Sequence, residues 1–295
     1  MMAAMHFAFV DAPLDRAEHL RIDSAALAAL WPRARLLLLD ADGQALADAG
    51  EGLLAVEGAE VADALPEGAV FLGLHGERGW FALPTEGAGV GAPGRINLRA
   101  AAALWPVRAA TAFAQARAVL HWRSRHRYCG ACGGPLEFMR AGWLGRCARC
   151  DIEHYPRTDP AVIVSVSDGE RLLLGREAAW PPRRWSVLAG FVEPGETLEQ
   201  TVMREVFEES QVRVRACRYL GSQPWPFPSS LMLGFEADAE PDRPVPNPDE
   251  LEDVRWFTRD EIGAAMRDEG GDEGILLSAP VSISRWLVER WYHAP

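Results

Sequence analysis

Four cysteines in two close pairs, Cys129-x2-Cys132 and Cys147-x2-Cys150 with fourteen residues between the pairs, constrain this chain more than any other feature. Thiolates on two tight knuckles are the donor set of tetrahedral Zn2+, and Gly130, Gly133 and Gly134 permit the turns the knuckles need. With four thiolates to fill a tetrahedral set and no open fourth position, the spacing predicts a closed structural zinc site made of Cys129, Cys132, Cys147 and Cys150. A disulfide framework or a redox Cys-x-x-Cys does not account for two pairs a ribbon-length apart. The fifth cysteine, Cys217, reads as an inert buried thiol.

At 295 residues the chain is long enough for two domains and a small third module. Its 48% hydrophobic and 24% charged residues are the balance of a globular protein that buries a full core. A net charge of −12 repels the nucleic-acid backbone, so generic coating of DNA or RNA is disfavoured. The basic, aromatic stretch His121 to Tyr128 reads equally as an RNA contact or as a helix end whose cations face its own dipole. No apolar run approaches the ~20 residues of a membrane span. The stretch 1–10 lacks a basic region and meets Asp11 at once, so a secretory signal is not expected, and the chain reads as cytoplasmic.

The first ~105 residues alternate apolar runs with turn signals: Arg35 to Leu39, then Val70 to Leu74 and Trp80 to Leu83 around His75–Gly79, a β-rich pattern. Pro106 opens a helix over Val107 to His126. Past the cysteines, Ala161–Val166 and Arg171–Leu174 flank Asp168-Gly169, which predicts a hairpin with a type I′ turn. Strands near Trp185–Ala189 and Leu231–Glu236, a helix over Leu198–Ser210 and a closing helix around Val281–Trp291 complete an α+β region. No repeat of fixed period is visible.

The chemistry concentrates in the segment from Gly190 to Glu209. Thr197 and Gln200 form a capping box that starts a helix after a glycine-rich loop. At ~100° per residue, Glu205, Glu208 and Glu209 share one arc of about 100°, while Met203, Val206 and Phe207 share an opposite arc expected to pack. Acidic side chains one turn apart repel by a few tenths of a kcal/mol, and a divalent cation more than offsets this. Hard oxygen ligands suit Mg2+ or Mn2+, which polarise phosphoryl oxygens and activate water. For the three glutamates alone, a solvated acidic face is the better reading; the loop and Arg204 weigh against it.

The string Gly190-x5-Glu196-x7-Arg204-Glu205-Val206-x-Glu208-Glu209 resembles the Nudix box of hydrolases acting on nucleoside diphosphates linked to another group. It departs where the family has a glycine after the helix: here Gln211 must make a left-handed cap, at a cost of ~1 kcal/mol. A second string, Ser222-Gln-Pro-Trp-Pro-Phe-Pro-Ser-Ser230, resembles the signature of NADH pyrophosphatases, the zinc-ribbon branch of that family. Three prolines stiffen the loop, suiting Trp225 and Phe227 to stack a base and Gln223 or Ser230 to bond a ribose; a Pro-aromatic core corner is the plainer alternative. The resemblance covers ribbon and catalytic region, about residues 127 to 290, and includes the Tyr155-Pro156 step.

The resemblance implies an α+β protein with a β-rich N-terminal domain (1–126), a four-Cys zinc ribbon (127–155) and a Nudix α/β/α sandwich (156–295). It implies hydrolysis of the NADH or NAD+ pyrophosphate to nicotinamide mononucleotide and AMP, an activity some members extend to NAD caps on RNA 5′ ends. Carried over by position, Mg2+ or Mn2+ is held by Glu205, Glu209, Glu250 and the Ala189 carbonyl. Glu208 completes a second metal or acts as base, and Arg204 with Glu196 orients the carboxylates. Tyr155 and Phe191 bracket the nicotinamide, with Tyr155 supplied across a homodimer, while Gln223, Pro224, Trp225, Pro226, Phe227, Pro228, Ser229 and Ser230 hold the remainder. Ser284 aligns weakly with a substrate-contacting residue. Some relatives have an acidic residue before the ribbon tryptophan, where this chain has Gly142 before Trp143. The competing readings are a Nudix enzyme for ADP-ribose or dinucleoside polyphosphates, and a non-catalytic nucleotide or RNA sensor.

Overall fold

The computed structural model describes residues 7–267 and 274–294, so of the stretch 1–10 read for a signal only 7–10 fall within it. No helix among the described residues is long and apolar enough to cross a membrane. Two compact units are present: one holds Ala8–Thr158 together with Trp225–Ser229, the other Asp159–Pro224 and the chain from Ser230.

The N-terminal unit begins with α1 (Ser24–Leu30), β1 (Arg35–Leu39), β2 (Ala45–Ala47), the single turn α2 (Gly58–Val61), β3 (Val70–His75), β4 (Arg78–Pro84) and β5 (Gly94–Ile96). Helices α3 (Leu98–Leu104) and α4 (Val107–Arg125) follow. Four consecutive leucines in β1 put apolar side chains on both faces of the sheet, so both faces must be covered. Leu37 and Leu39 pack with Phe113 and Val119 of α4. Leu36 and Leu38 pack with Trp31, Phe71 and Phe81. The expected β-rich domain is therefore a layered mixture of sheet and helix: the continuous apolar strand, rather than an alternating one, is what calls for the helical cover.

The ribbon, in the same unit, comprises β6 (Leu136–Met139), β7 (Leu144–Cys147) and β8 (Glu153–His154) in an antiparallel sheet. Trp143 ties it to the rest, its Nε1 donating to the Phe71 carbonyl at 2.7 Å. Gly142 is at φ +91, and a Cβ there would meet Val70 Cγ2 at 2.8 Å, so this backbone has no room for an acidic side chain.

The C-terminal unit contains β9 (Asp159–Ser167), β10 (Arg171–Arg176), β11 (Leu188–Phe191), α5 (Leu198–Ser210), β12 (Val214–Trp225), β13 (Ser230–Ala239), β14 (Asp253–Thr258), α6 (Arg259–Met266) and α7 (Ile283–His293). The strand order is β12-β13-β9-β10-β14, with β11 on β9, and β13 runs parallel to β9. Val162, Val164 and Val166 of β9 pack with Val202 and Val206 of α5. Residues of the alternate face meet α7: Ser167 Oγ accepts from Trp291 Nε1 at 3.0 Å. A Cβ on Gly234 would lie 2.8 Å from Ile283 Cδ1. Helices on both faces make this the α/β/α sandwich.

The N-terminal sheet runs β3-β4-β1-β2-β5, also with a parallel central pair, β4 on β1. Strand for strand, this is the order of the C-terminal sheet. No sequence period betrays the duplication, because the architecture repeats while the residues do not.

The β9–β10 turn differs from expectation. Only Gly169 takes positive φ, and the Asp168 carboxylate accepts the Arg171 and Glu170 amides at 2.7 and 3.0 Å, so a side-chain cap replaces the second left-handed residue of a type I′ turn. The α5 capping box is present in both directions, Gln200 N to Thr197 Oγ1 at 3.2 Å and Thr197 N to Gln200 Oε1 at 2.8 Å. At its other end Gln211 is left-handed, φ 59, with its amide on the Phe207 carbonyl at 2.8 Å. Replacing Gln211 with glycine removes the steric cost of that conformation and is expected to stabilise the protein by about 1 kcal/mol in denaturant melts. An unchanged or lower midpoint would contradict this account of the cap.

Candidate active site

Helix α5 places its carboxylates differently from the expected apolar-versus-acidic division. The buried side is Thr201, Val202, Val206, Glu209 and Ser210, whereas Met203 and Phe207 are exposed. Val202, Val206 and Glu209 fall at i, i+4 and i+7, so Glu209 belongs to the stripe that packs on the sheet. It is only 6% exposed, with Glu205 half-buried beside it and Glu208 in solvent. Apolar character alone mis-set the packing arc by putting Met203 and Phe207 at its centre.

Burial, followed by the charges of Glu205, Glu250, Glu177 and Glu208, pushes the Glu209 carboxyl up to about 8. Burial also raises Glu205, against the opposing pull of Arg204. Glu177, just past β10, was not anticipated from sequence; its only signal was a carboxylate directly after a buried strand. Glu250 comes near because its loop is pinned to the end of α5, with Asn247 N on the Glu209 carbonyl at 3.1 Å and Glu250 N on the Asn247 carbonyl at 3.1 Å.

Gly190 provides the cradle. A Cβ there would fall 1.8 Å from the Glu205 carboxyl carbon, so only glycine lets this carboxylate lie against the β11 backbone next to Ala189. Glu205 and Glu209, with Glu250 near enough for its charge to act on both and the Ala189 carbonyl one residue before Gly190, are the oxygens that could hold a cation. Hard oxygens around a buried carboxylate with acidic neighbours fit a divalent cation.

Arg204 organises the loop and helix together. Its Nε and Nη2 grip Glu196 at 2.6 and 2.9 Å, and Nη2 also donates to the Phe191 carbonyl at 3.0 Å. Nη1 donates to Glu208 at 3.0 Å and lies 3.0 Å from Glu205. Glu196 further accepts from Thr201 Oγ1 at 2.9 Å and from the Glu193 amide at 3.1 Å. The Arg204 bond, above all, holds the Glu196 carboxyl down at about 2.

The other expected contacts divide. Phe191 is 59% exposed at the end of β11 in the C-terminal unit, and Tyr155 is 57% exposed in the N-terminal unit, bonded to Glu153. Gln223 is fully buried: its Nε2 donates to the Val281 carbonyl at 2.9 Å and its Oε1 accepts the Ile283 amide at 2.8 Å. Its amide thus anchors the start of α7 and is not open to a ribose. Ser284 is likewise buried, bonded to Ser186 at 2.8 Å and Ser278 at 3.2 Å. Pro224 and Pro228 are exposed, Ser229 is half-buried, and Ser230 pairs with Asp159 on β9. Trp225 and Phe227 pack partly against the N-terminal core instead of standing free as a platform, and Pro226 is buried.

The four ribbon sulfurs lie within 4.8 Å of one another, compatible with Zn–S bonds of about 2.3 Å. Amides of Ala131 and Arg149 point at Cys129 and Cys147 Sγ, each at 3.4 Å. Backbone donors, led by the Cys150 amide, bring the Cys147 thiol down to about 6, favouring the thiolate a metal needs. His154 Nε2 lies 3.3 Å from Cys129 Sγ, a neighbour missed because it sits outside the cysteine spacing.

A strand, a glycine loop and a carboxylate helix on an α/β/α sandwich define a Nudix domain, and the NUDIX domain family matches residues 156–277. The NADH pyrophosphatase zinc ribbon domain matches 124–155, and the NADH pyrophosphatase-like rudimentary NUDIX domain matches 26–122. The chain is 41% identical over 288 residues to the NAD-capped RNA hydrolase NudC of Mycobacterium bovis (strain BCG / Pasteur 1173P2), covering 94% of this chain and 92% of that protein. The NudC of Stutzerimonas stutzeri (strain A1501) is 45% identical over 168 residues, 57% of this chain and 56% of that one. A crystal structure of a NUDIX hydrolase from Nitrosomonas europaea aligns with 27% identity and a TM-score of 0.44, over 57% of this chain and 94% of that chain. The chain belongs to the NADH pyrophosphatase family, the zinc-ribbon branch of the Nudix hydrolases.

The depressed Glu196 carboxyl makes the Arg204 grip pH-dependent. A carboxyl whose folded value is about 2 against an ordinary 4.5 stabilises the protein fully above 4.5. That contribution fades as pH falls through 4.5 toward 2. Glu196→Gln is therefore expected to melt below the wild type at neutral pH, with the gap closing across that acid window; a gap independent of pH would show that the ion pair is not the stabilising contact.

Proposed function

We propose that this enzyme hydrolyses the pyrophosphate of NADH and NAD+, releasing AMP and reduced or oxidised nicotinamide mononucleotide, and cuts the same bond in NAD caps at RNA 5′ ends. The observation that carries the reading is the buried Glu209 beside Glu205 in the Gly190 cradle, an oxygen-lined acidic site in a chain whose full-length relatives are NAD-capped RNA hydrolases. Domain limits at 126/127 and 155/156, a cytoplasmic location and a homodimer are part of the same proposal.

Glu205, Glu209, Glu250 and the Ala189 carbonyl hold Mg2+ or Mn2+. When bound, these ions withdraw charge from phosphoryl oxygens and make water at the site more acidic. The protein's own groups do the rest. Arg204 fixes Glu196 and the Phe191 carbonyl, and so sets the angle between loop and helix. Glu208, the solvent-facing carboxylate of the group, takes the proton of the attacking water. A new P–O bond forms at one phosphorus as the bridging P–O bond breaks in line, with no covalent enzyme intermediate. The exposed rings of Phe191 and, across the dimer, Tyr155 bracket the nicotinamide.

Chromatography of NADH digested with Mg2+ or Mn2+ is expected to show AMP and reduced mononucleotide in equal amounts; turnover of ADP-ribose or dinucleoside polyphosphates instead would replace this reading. Glu209→Gln is expected to lower turnover more than about 100-fold with zinc content retained and melting no lower than the wild type's, since the change removes a buried charge from the packing stripe together with a metal ligand. An undiminished rate at saturating metal would remove Glu209 from the site.

A further inference from the structure

The Pro-aromatic segment Trp225–Ser229 folds with the N-terminal unit. There two guanidinium groups stand over the Phe227 ring, Arg99 Cζ 4.0 Å and Arg117 Cζ 5.0 Å from its centroid. Arg99 also sits 5.5 Å from Trp225, whose ring is 4.9 Å from that of Phe227. Arg117 Nη1 donates to the Pro226 carbonyl at 2.8 Å. Space for Arg117 comes from Gly43 in the β1–β2 turn: it is at φ +73, and a Cβ would fall 3.1 Å from Arg117 Nε.

This arrangement has a cost. Burial and the charge of Arg99 both push the Arg117 guanidinium below its ordinary value, as expected when two cations converge. The aromatic face and the carbonyl offset the repulsion. The ring is not enclosed by apolar packing on every side, because a cavity of about 640 Å3 lined by Asn97, Arg99, Arg117 and Phe227 opens beside it. The two guanidinium groups thus add to the partial packing of the ring on the N-terminal core and on Trp225.

We propose that Arg99 and Arg117 are positioning residues for the dinucleotide: through their contacts with Phe227 and the Pro226 carbonyl they fix the substrate loop and so set substrate affinity. This rests on the family resemblance that assigns the loop between Gln223 and Ser230 to the substrate, with contact made by the groups left accessible there, Pro224, Pro228 and Ser229. Arg99 is exposed, so its removal leaves the core intact.

The test combines kinetics with hydrogen exchange in the full-length zinc-loaded protein. Arg99→Ala and Arg117→Ala are each expected to raise KM for NADH about tenfold, the size of one such contact, with kcat nearly unchanged. Arg117→Lys should recover most of the affinity. In the alanine variants the amides of Trp225, Phe227 and Ser229 should exchange about tenfold faster, while Val202 and Val206 in α5 keep their protection. Unchanged loop exchange would overturn the clamp, and faster exchange with unchanged KM would overturn its link to substrate. If the wild type does not hydrolyse NADH, the functional reading falls, while the exchange arm still decides whether the arginines hold the loop.

Discussion

Placing a carboxylate in the packing stripe of a helix is costly unless charge of the opposite sign arrives, and the catalytic unit is arranged around that requirement. Glu209 shares its stripe with Val202 and Val206, so the surface that docks α5 on the sheet is also the one that gathers negative charge. Arg204 cannot serve all the acids at once: its fork is spent on Glus 196, 205 and 208. What remains uncompensated is the group formed by Glu209, Glu250 and Glu177, and this remainder is where a dication fits. The glycine at 190 has the same logic, since the strand gives up a side chain to bring an acidic group onto backbone.

The parts of the site legible in the sequence are those set by local rules. Cysteine spacing, the Thr197–Gln200 box and the left-handed Gln211 each depend on a few neighbouring residues, and the structure has all three as read. Residues whose role depends on partners far along the chain were not legible. Gln223 looked like a polar group in a signature loop, yet its amide closes bonds to Val281 and Ile283 some sixty positions away. Glu177 acquires meaning only because its charge acts on Glu209, some thirty positions away along the chain. Strand β12 escaped notice since its residues are mostly half-exposed, giving no strong alternation, and β14 because its apolar pair sits beside charged neighbours.

Duplication of the sheet order shows what a Nudix framework needs for chemistry beyond its strands. Between β2 and β3, where the C-terminal unit has the thirteen-residue α5 between β10 and β12, the N-terminal unit has only the four-residue α2. Its Glu60 is committed to capping, accepting the Glu57 amide at 2.7 Å, and Glu57 pairs with Arg78. One turn cannot present carboxylates at i, i+3 and i+4, and the acids it does carry are already satisfied. The N-terminal unit thus has the sheet order of the C-terminal one without its carboxylate helix. What this unit keeps is the long α4, whose apolar side covers the β1 leucines while Arg117, on the same helix, reaches the Pro226 carbonyl. A sheet without a carboxylate helix still has the packed strands and the long helix that let it hold a loop.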